Sequence, residues 1–224
     1  MFENLTLAAR DTRQCGILRK SSSTRPALWL IEENNTKAVV KDFSANGFFF
    51  RNVAGRFLLW REKRALTKLK GLTNVPSLYK IVDHSALVME AIEGKTVGRL
   101  PAGTPLPSDF FLELRALVLA VHDLGIAHCD LKTSTNVLID LDGHPHIVDW
   151  AASISQSEFR WGLLQLIYRR FLRDDLMGVI KLQLRHDPGN VALEDRERCL
   201  HRNMAERFVR KVRNGLRNTL KKVA

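Results

Sequence analysis

One short stretch of the chain carries residue types suited to phosphoryl-transfer chemistry. Asp130 lies in a polar loop between two apolar runs, where its carboxylate could accept a proton from an attacking hydroxyl group. Asn136 and Asp149 offer oxygen atoms of the kind that magnesium prefers in proteins. Asn136 begins one apolar strand and Asp149 ends the next, with an Asp142-Gly143 turn between them. A hairpin would therefore place the two oxygen ligands side by side.

The order of these residues resembles the catalytic loop and the metal-binding aspartate of the protein kinase superfamily. The family loop reads H-x-D-x-x-x-x-N, and His128, Asp130 and Asn136 follow that pattern with one extra residue before the asparagine. The D-F-G motif appears as Asp149-Trp150-Ala151, which keeps the aromatic residue and lacks the glycine. The resemblance implies that Asp130 is the catalytic base and that Asn136 and Asp149 hold Mg²⁺.

Two neighbours of Asp130 can also be compared with positions in the kinase catalytic loop. Lys132 resembles the lysine that many serine/threonine kinases direct at the γ-phosphate, where a cation offsets charge on the transferred group. Cys129 stands where regulated kinases have an arginine that holds a phosphorylated activation loop. The sequence therefore predicts no switch of that kind. His122 and His128 are expected to pack and to brace this loop rather than to transfer protons.

A strand and a helix nearer the N-terminus supply the residues that would position phosphates. The predicted strand Lys37–Lys41 ends in Val39-Val40-Lys41, which resembles the V-A-I-K strand and implies that Lys41 contacts the α- and β-phosphates of ATP. A predicted helix from Arg51 to Leu72 contains Glu62, which the resemblance pairs with Lys41. Without that order, Lys41 would be a solvated strand residue, and Glu62 would be a surface residue in a basic helix.

The adenine site would lie where the next strands end. Met89 to Gly94 resembles the hinge between the two lobes of a kinase, which implies adenine binding by the carbonyl of Glu90 and the amide of Ile92. A strand that simply ends at a glycine turn remains the alternative. The glycine-rich phosphate loop of the family is missing, and Ser21 to Thr24 occupies its place.

The resemblance implies an α+β, two-lobed protein-kinase-like fold that forms one catalytic domain. Residues 1–92 would form an N-lobe with a small β-sheet, and residues 93–224 a reduced, mainly helical C-lobe. Further helices are predicted in the second part: from Ser108-Asp109 to about Leu124, Phe159 to Arg173, Asp174 to about Arg185, and a long basic helix from Leu193 to Val223.

Composition sets the broader limits. The 224 residues are 45% hydrophobic, which suits a globular protein with a buried core. Three cysteines form no C-x-x-C pair, and no apolar run reaches the ~20 residues that span a bilayer, so a cytoplasmic protein is expected. The net charge is +11, and residues 151–224 carry 16 Lys and Arg against 8 Asp and Glu. Such a surface favours an anionic partner.

The reduced C-terminal part and the missing glycine loop resemble the compact bacterial kinases of lipopolysaccharide core sugars (Kdo or heptose) and the RIO-like serine/threonine kinases. This resemblance implies transfer of the γ-phosphoryl group of ATP, with Mg²⁺, to the hydroxyl of an anionic glycolipid or a protein. A lipopolysaccharide core sugar is the expected acceptor. A RIO-like protein kinase and a catalytically silent nucleotide-binding module are the alternatives. The basic C-terminal helix could contact the inner membrane surface, and nucleic acid is not an expected partner.

Overall fold

The computed structural model describes residues 2, 5–6 and 14–200. Its first part is a five-stranded antiparallel sheet in the order β1-β2-β3-β5-β4. β2 and β3 meet in a two-residue turn, where Asn34 and Asn35 both have positive φ angles, as the tight hairpin requires. The strands are β1 (Gln14–Arg19), β2 (Ala27–Glu33), β3 (Thr36–Asp42), β4 (Leu78–Val82) and β5 (Ala86–Glu90).

One helix crosses the sheet. A π-helical turn, Phe50–Gly55, leads directly into the helix α1, Arg56–Lys68. The inward face of α1 buries Leu59, Ala65 and Leu66 together with the charged Glu62. Because a buried carboxylate needs a partner, this face must meet a cation in the sheet.

The second part is mainly helical. It contains α2 (Phe110–Asp123) and α3 (Gly162–His186), a small sheet of β6 (Gly94–Thr96), β8 (Val137–Asp140) and β9 (Pro145–Ile147), and a pair formed by β7 (Ile126–Ala127) and β10 (Ile154–Ser155). The β8–β9 hairpin pairs Val137 with Ile147. This pairing brings the neighbouring Asn136 and Asp149 to the same end of the hairpin, as the sequence predicts.

One predicted helix boundary and one predicted helix cap differ from the structure. The sequence predicts separate helices that meet at Arg173 and Asp174, whereas α3 is a single helix through both. The acidic pair Asp174-Asp175 favours a helix start, but in the structure it lies inside α3, where both side chains make contacts described below. α2 begins after Asp109 as predicted, yet neither Ser108 nor Asp109 caps it, because the Ser108 hydroxyl donates to the Asp109 carboxylate instead.

One hydrophobic core joins the two parts. Phe43, Leu66 and Leu87 of the sheet part belong to the same buried cluster as Leu114 of α2 and Trp150 of the second part. A shared core holds the two parts in a fixed relation. β3, α1 and the segment of Asp149 meet where the two parts join, and we call this junction the cleft.

The structure describes only the first turns of the predicted C-terminal helix. Residues 193–200 are helical, and the rest of the predicted helix, to Val223, lies outside the described residues. Within residues 14–200, no helix is both long enough and apolar enough to cross a membrane.

Candidate active site

Lys41 connects three separate elements at the cleft. Its Nζ donates to Glu62 Oε2 of α1 and to Asp149 Oδ1, at 2.7 Å in both cases. The Glu62 side chain is fully buried and that of Lys41 is 6% exposed, whereas the Asp149 side chain is 44% exposed. The structure thus contains the predicted Lys41–Glu62 pair, and Asp149 is the member of the group that a ligand can reach.

The three charges set one another's protonation. Burial alone would lower the pKa of Lys41, but the carboxylates of Glu62 and Asp149 outweigh it and raise that pKa. Burial alone would raise the pKa of Asp149, but Lys41 outweighs it and holds that pKa below its usual range. Burial raises the pKa of the deeper Glu62, although Lys41 opposes the rise. Lys41 and Asp149 therefore face the cleft as an ammonium and a carboxylate at neutral pH.

The residue after Asp149 anchors it. Asp149 has a left-handed backbone, with φ of 65°, a conformation that aspartate tolerates better than most residues. Trp150 is fully buried, and its ring nitrogen donates to the Ile147 carbonyl at 3.2 Å. Its ring meets that of His128 edge-on, with centroids 4.7 Å apart. The tryptophan in place of the family's phenylalanine thus fills a core position and fixes the backbone that carries Asp149.

Asp130 and Asn136 form a second group beside the first. Asn136 Nδ2 donates to the Asp130 carbonyl at 3.0 Å and to Asp130 Oδ2 at 3.1 Å. His128 braces the loop, because its Nε2 lies 3.0 Å from the Val148 carbonyl oxygen and its Nδ1 accepts from the Asp130 amide at 3.3 Å. Burial lowers the pKa of His128, so the ring is neutral and suits both contacts.

The extra residue before Asn136 is absorbed locally. Leu131–Thr133 forms a 3₁₀ turn, and Ser134 then takes a left-handed backbone with φ of 52°. The Ser134 carbonyl accepts from the Gly98 amide at 3.1 Å. This turn therefore accommodates the additional residue, and Asn136 still contacts Asp130.

Cys129 is an uncharged replacement for the family's arginine. It has a left-handed backbone with φ of 69°. Burial raises the pKa of its thiol to about 12, so no charge stands there at neutral pH.

Sequence reasoning missed Asp175, which holds the loop of Asp130 in place. This side chain of α3 is buried, and it accepts from the backbone amides of His128 at 2.7 Å and Cys129 at 2.9 Å. His122 Nε2 lies 3.3 Å from the same carboxylate. The available signal was a pair of aspartates inside an otherwise apolar and basic helix, because a carboxylate on a buried helix face requires donors.

Arg19 is a second residue that sequence reasoning missed. It ends β1, and its Nε donates to the Pro26 carbonyl at 3.3 Å. Burial lowers the pKa of Arg19, and the attraction of Asp149 opposes this. The Asp149 pKa is in turn lowered in part by Arg19. The Arg19 cation at the end of β1 is therefore close enough to Asp149 for each to affect the pKa of the other.

The serine-rich segment after Arg19 is a closed hairpin loop. Ser22 and Arg25 form an isolated bridge across it. Asn46 Nδ2 donates to the carbonyls of both residues, at 2.6 Å and 3.1 Å. The loop is thus held by a buried side chain rather than by a run of glycines.

Lys132 lies differently from the other predicted residues. Its Nζ contacts Asp174 Oδ2 at 3.1 Å, and Asp174 also accepts from Arg170 Nε at 3.0 Å. The Lys132 side chain is 39% exposed. The structure therefore directs this ammonium along α3, and its action on a γ-phosphate stays a prediction.

Glu90 and Ile92 lie at the edge of the cleft where the chain leaves the sheet. Glu90 is the last residue of β5, and its amide donates to the Ser77 carbonyl at 2.9 Å. The Ala91 amide donates to the Lys37 carbonyl at 3.3 Å, which continues the hydrogen bonding between β3 and β5 just beyond the end of β5. Ile92 then lies in the extended connection to β6. This position suits the predicted adenine contacts.

The available metal ligands are hard oxygens and few in number. Over residues 14–200, no group of three or more His, Cys, Asp or Glu side chains could hold a metal ion by itself. Asp149 offers a carboxylate at the cleft, and Asn136 turns its amide nitrogen to Asp130, so that its oxygen remains the acceptor end. One carboxylate and one amide oxygen, completed by phosphate and water, fit the way Mg²⁺ accompanies nucleotides.

The close approach of α3 to the loop of Asp130 depends on Gly178. A Cβ at this position would lie 2.9 to 3.0 Å from backbone atoms of Leu131. We expect Gly178→Ala to destabilise the protein by about 1–3 kcal/mol, as overpacking does. Gly162→Ala is the matched control, because nothing lies within 4 Å of that added Cβ. Urea unfolding of the two variants tests this, and equal midpoints would contradict it.

Comparisons with known proteins support the fold. No family model matches the chain, and no curated protein matches it in sequence. Two solved structures of the Rio2 kinase from Chaetomium thermophilum match its structure, one of them the complex with ADP/Mg²⁺ and phosphoaspartate. Both have a TM-score of 0.57 and 16% identity, and they cover 83% and 81% of this chain. The chain spans about 60% of the length of those proteins. The protein therefore has a protein-kinase-like α+β fold, as the sequence predicts.

Proposed function

We propose that the protein is a phosphotransferase that moves the γ-phosphoryl group of ATP, with Mg²⁺, to a hydroxyl acceptor. The observation that carries the proposal is the meeting of Lys41, Glu62 and Asp149 at one cleft, in contacts of 2.7 Å. Three parts of the chain that are far apart in sequence supply them. A kinase-like fold that places these residue types together has the groups needed to bind a Mg²⁺–nucleotide.

Each residue of this group has a distinct part in phosphate binding. Lys41 binds the α- and β-phosphates, and Glu62 holds its ammonium at the cleft. Asp149 and Asn136 hold Mg²⁺, which would neutralise charge on the phosphates when bound. On binding, Lys41 keeps Glu62 and turns from Asp149 toward the phosphates, because Asp149 is the exposed partner.

Asp130 orients the acceptor and takes its proton. Its carboxylate is fixed by Asn136 on one side and by the braced loop on the other. As the acceptor oxygen bonds to the γ-phosphorus, the bond to the β-phosphate oxygen breaks and ADP leaves. Lys132 offsets the charge that develops on the transferred group, if its ammonium leaves Asp174 for that purpose.

The adenine ring lies between the two parts of the protein. The Glu90 carbonyl and the Ile92 amide bind it, and the lobe boundary falls after residue 92. Arg19 contributes to phosphate binding in place of the missing glycine loop, because it is a cation at the end of β1 that lowers the pKa of Asp149.

The proposed role of Arg19 is tested by its neutral variant. Arg19→Gln should raise the KM for ATP about tenfold, the effect of losing one hydrogen bond to a charged group. Lys20→Gln is the control for charge, since Lys20 is the next residue, lies outside β1 and is exposed. Steady-state kinetics at saturating acceptor measure both, and an unchanged KM in Arg19→Gln would remove Arg19 from the site.

The acceptor that we propose is a sugar hydroxyl of the lipopolysaccharide core, phosphorylated at the cytoplasmic face of the inner membrane. The net charge of +11, concentrated in residues 151–224, suits an anionic glycolipid. The likeness to the Rio2 kinase structures fits the alternative, a RIO-like serine/threonine protein kinase. A catalytically silent nucleotide-binding module is less favoured, because such a module has no chemical need for Asp130 and Asn136 beside Lys41 and Asp149.

Transfer of labelled γ-phosphate from ATP and Mg²⁺ into a bacterial envelope extract separates these possibilities. The product is divided into glycolipid and protein fractions, and Asp130→Ala serves as the inactive control. Label in the glycolipid fraction with the wild type alone is the expected result. Label in the protein fraction alone would indicate that the acceptor is a serine or threonine of a protein. Binding of ATP without any labelled product would favour the catalytically silent nucleotide-binding module.

A further inference from the structure

The outward face of α1 carries an exposed apolar strip that the proposed chemistry does not use. The strip begins in the helical turn before α1. Four of its residues recur at spacings of three or four, so that one helix face presents them, and Phe48 precedes the first of these four. Their exposures are high for large apolar side chains. The strip consists of Phe48 (77%), Phe49 (77%), Val53 (56%), Phe57 (51%) and Trp60 (49%), and together with Arg56, Lys63 and Arg64 we name it the α1 surface.

The α1 surface is strongly cationic. Residues 43–70 contain seven Lys and Arg and a single acidic residue, Glu62, which is buried against Lys41. The acidic groups near it from other elements are Glu158 and Asp83. Glu158 already accepts from Arg61 at 3.0 Å and from Arg64 at 2.9 Å, and Asp83 lies in the β4–β5 turn. The exposed charge of this face is therefore positive.

Cations hold the aromatic side chains of the strip in place. The rings of Phe57 and Trp60 stack with centroids 5.9 Å apart. The Arg61 guanidinium lies 5.0 Å from the Phe57 ring, and that of Arg64 lies 5.3 Å from the Trp60 ring. The apolar centre and its cationic margin thus form one ordered surface.

A small pocket, separate from the cleft of Lys41 and Asp149, opens beside Trp60. It lies between α1 and the β4–β5 turn, with a volume of about 230 Å³. Arg56, Lys63 and His84 supply its polar lining, and Leu59, Trp60 and Ile81 supply its apolar lining. Two cations and an imidazole around a space of this size suit a phosphate group attached to an apolar body.

We propose that the α1 surface binds an anionic lipid bilayer. Its aromatic side chains would lie in the headgroup region, and a lipid phosphate would lie in the pocket of Arg56 and Lys63. A helix with Phe and Trp on one face and Arg and Lys beside them is the pattern of helices that lie in a membrane interface. The aliphatic Val53 and the protruding Phe48 and Phe49 suit hydrocarbon better than stacked bases. This inference does not depend on the proposed phosphotransferase activity.

The surface would also orient the cleft. α1 binds the bilayer with its outer face and holds Lys41 through Glu62 on its inner face. The bilayer and the cleft would therefore lie on opposite sides of one rigid helix.

Sedimentation of the full chain with vesicles tests the proposal. The vesicles are phosphatidylcholine alone, or phosphatidylcholine mixed with phosphatidylglycerol. We expect binding to the mixed vesicles only, weakened on the order of tenfold by Arg56→Gln/Lys63→Gln. Phe48→Ser/Phe49→Ser should weaken it comparably. The matched controls change exposed residues elsewhere: Lys95→Gln/Arg99→Gln for charge and Leu112→Ser/Leu141→Ser for apolar area.

Three results would overturn the proposal. One is equal loss of binding in the control variants, which would indicate general charge attraction or general stickiness. Another is loss of binding in Lys221→Gln/Lys222→Gln with none in the α1 variants, which would place the contact at the C-terminus. The last is displacement of the protein from vesicles by single-stranded RNA, together with loss of RNA binding in the α1 variants. Far-ultraviolet circular dichroism of every variant excludes misfolding as the cause.

Discussion

Asp130→Ala should abolish phosphoryl transfer while the protein still binds ATP. In the proposed mechanism Asp130 acts on the acceptor, whereas the proposed nucleotide-binding residues Lys41, Glu62 and Asp149 contact one another in hydrogen bonds that do not include Asp130. Loss of a general base costs about 10²–10⁴-fold in rate. Titration of ATP into the variant, beside a transfer assay on the same sample, measures both quantities.

Two controls sharpen this prediction. Asp130→Asn keeps an oxygen that can accept from Asn136 Nδ2 and should be as inactive as the alanine variant, which separates loss of the base from loss of loop structure. Asp142→Ala removes an exposed carboxylate from the nearby β8–β9 turn and should leave transfer unchanged. Normal turnover in either Asp130 variant would show that another group takes the proton.

Asp175→Ala should cost both stability and activity. The carboxylate is buried and accepts from the amides of His128 and Cys129, so that its removal leaves two donors without their partner. Each buried donor left without an acceptor costs about 1–3 kcal/mol, and we expect a loss of about 2–6 kcal/mol in the free energy of unfolding. The loop that carries Asp130 should loosen first, because these two amides anchor it.

The neighbouring aspartate supplies the comparison. Asp174 is more exposed and pairs with Lys132 and Arg170, and such pairs contribute about 0–1 kcal/mol each. Urea unfolding of Asp174→Ala and Asp175→Ala should therefore differ by several kcal/mol. Hydrogen exchange of the His128 and Cys129 amides gives a second readout. Similar stability of the two variants, with those amides still protected, would mean that Asp175 does not anchor the loop.

The order of residues predicted the fold class and the Lys41–Glu62 contact. A strand lysine, a helix glutamate and a later aspartate are individually common, but in that order they match one architecture. The β8–β9 hairpin was also predictable, because the Asp142-Gly143 turn separates two apolar runs and fixes which residues meet. These features depend on local pattern and on sequence order, which the chain displays directly.

Asp175, Arg19 and the continuity of α3 could not be predicted in the same way. Asp175 has its role only because α3 packs against the loop of Asp130, a contact between residues 46 and 47 positions apart. Arg19 was missed because its electrostatic effect on Asp149 joins residues 130 positions apart, and no sequence motif marks it. α3 was divided in two because an acidic pair usually starts a helix, a preference that buried hydrogen bonds override here.

The most direct test of the central claim is the titration of ATP into the wild type and into Asp149→Ala, with and without Mg²⁺. The wild type should bind ATP more tightly when Mg²⁺ is present, and Asp149→Ala should lose this increase. Asp142→Ala should behave as the wild type. No binding of ATP by the wild type, or a Mg²⁺ effect of the same size in Asp149→Ala, would contradict the assignment of this cleft as a Mg²⁺–nucleotide site.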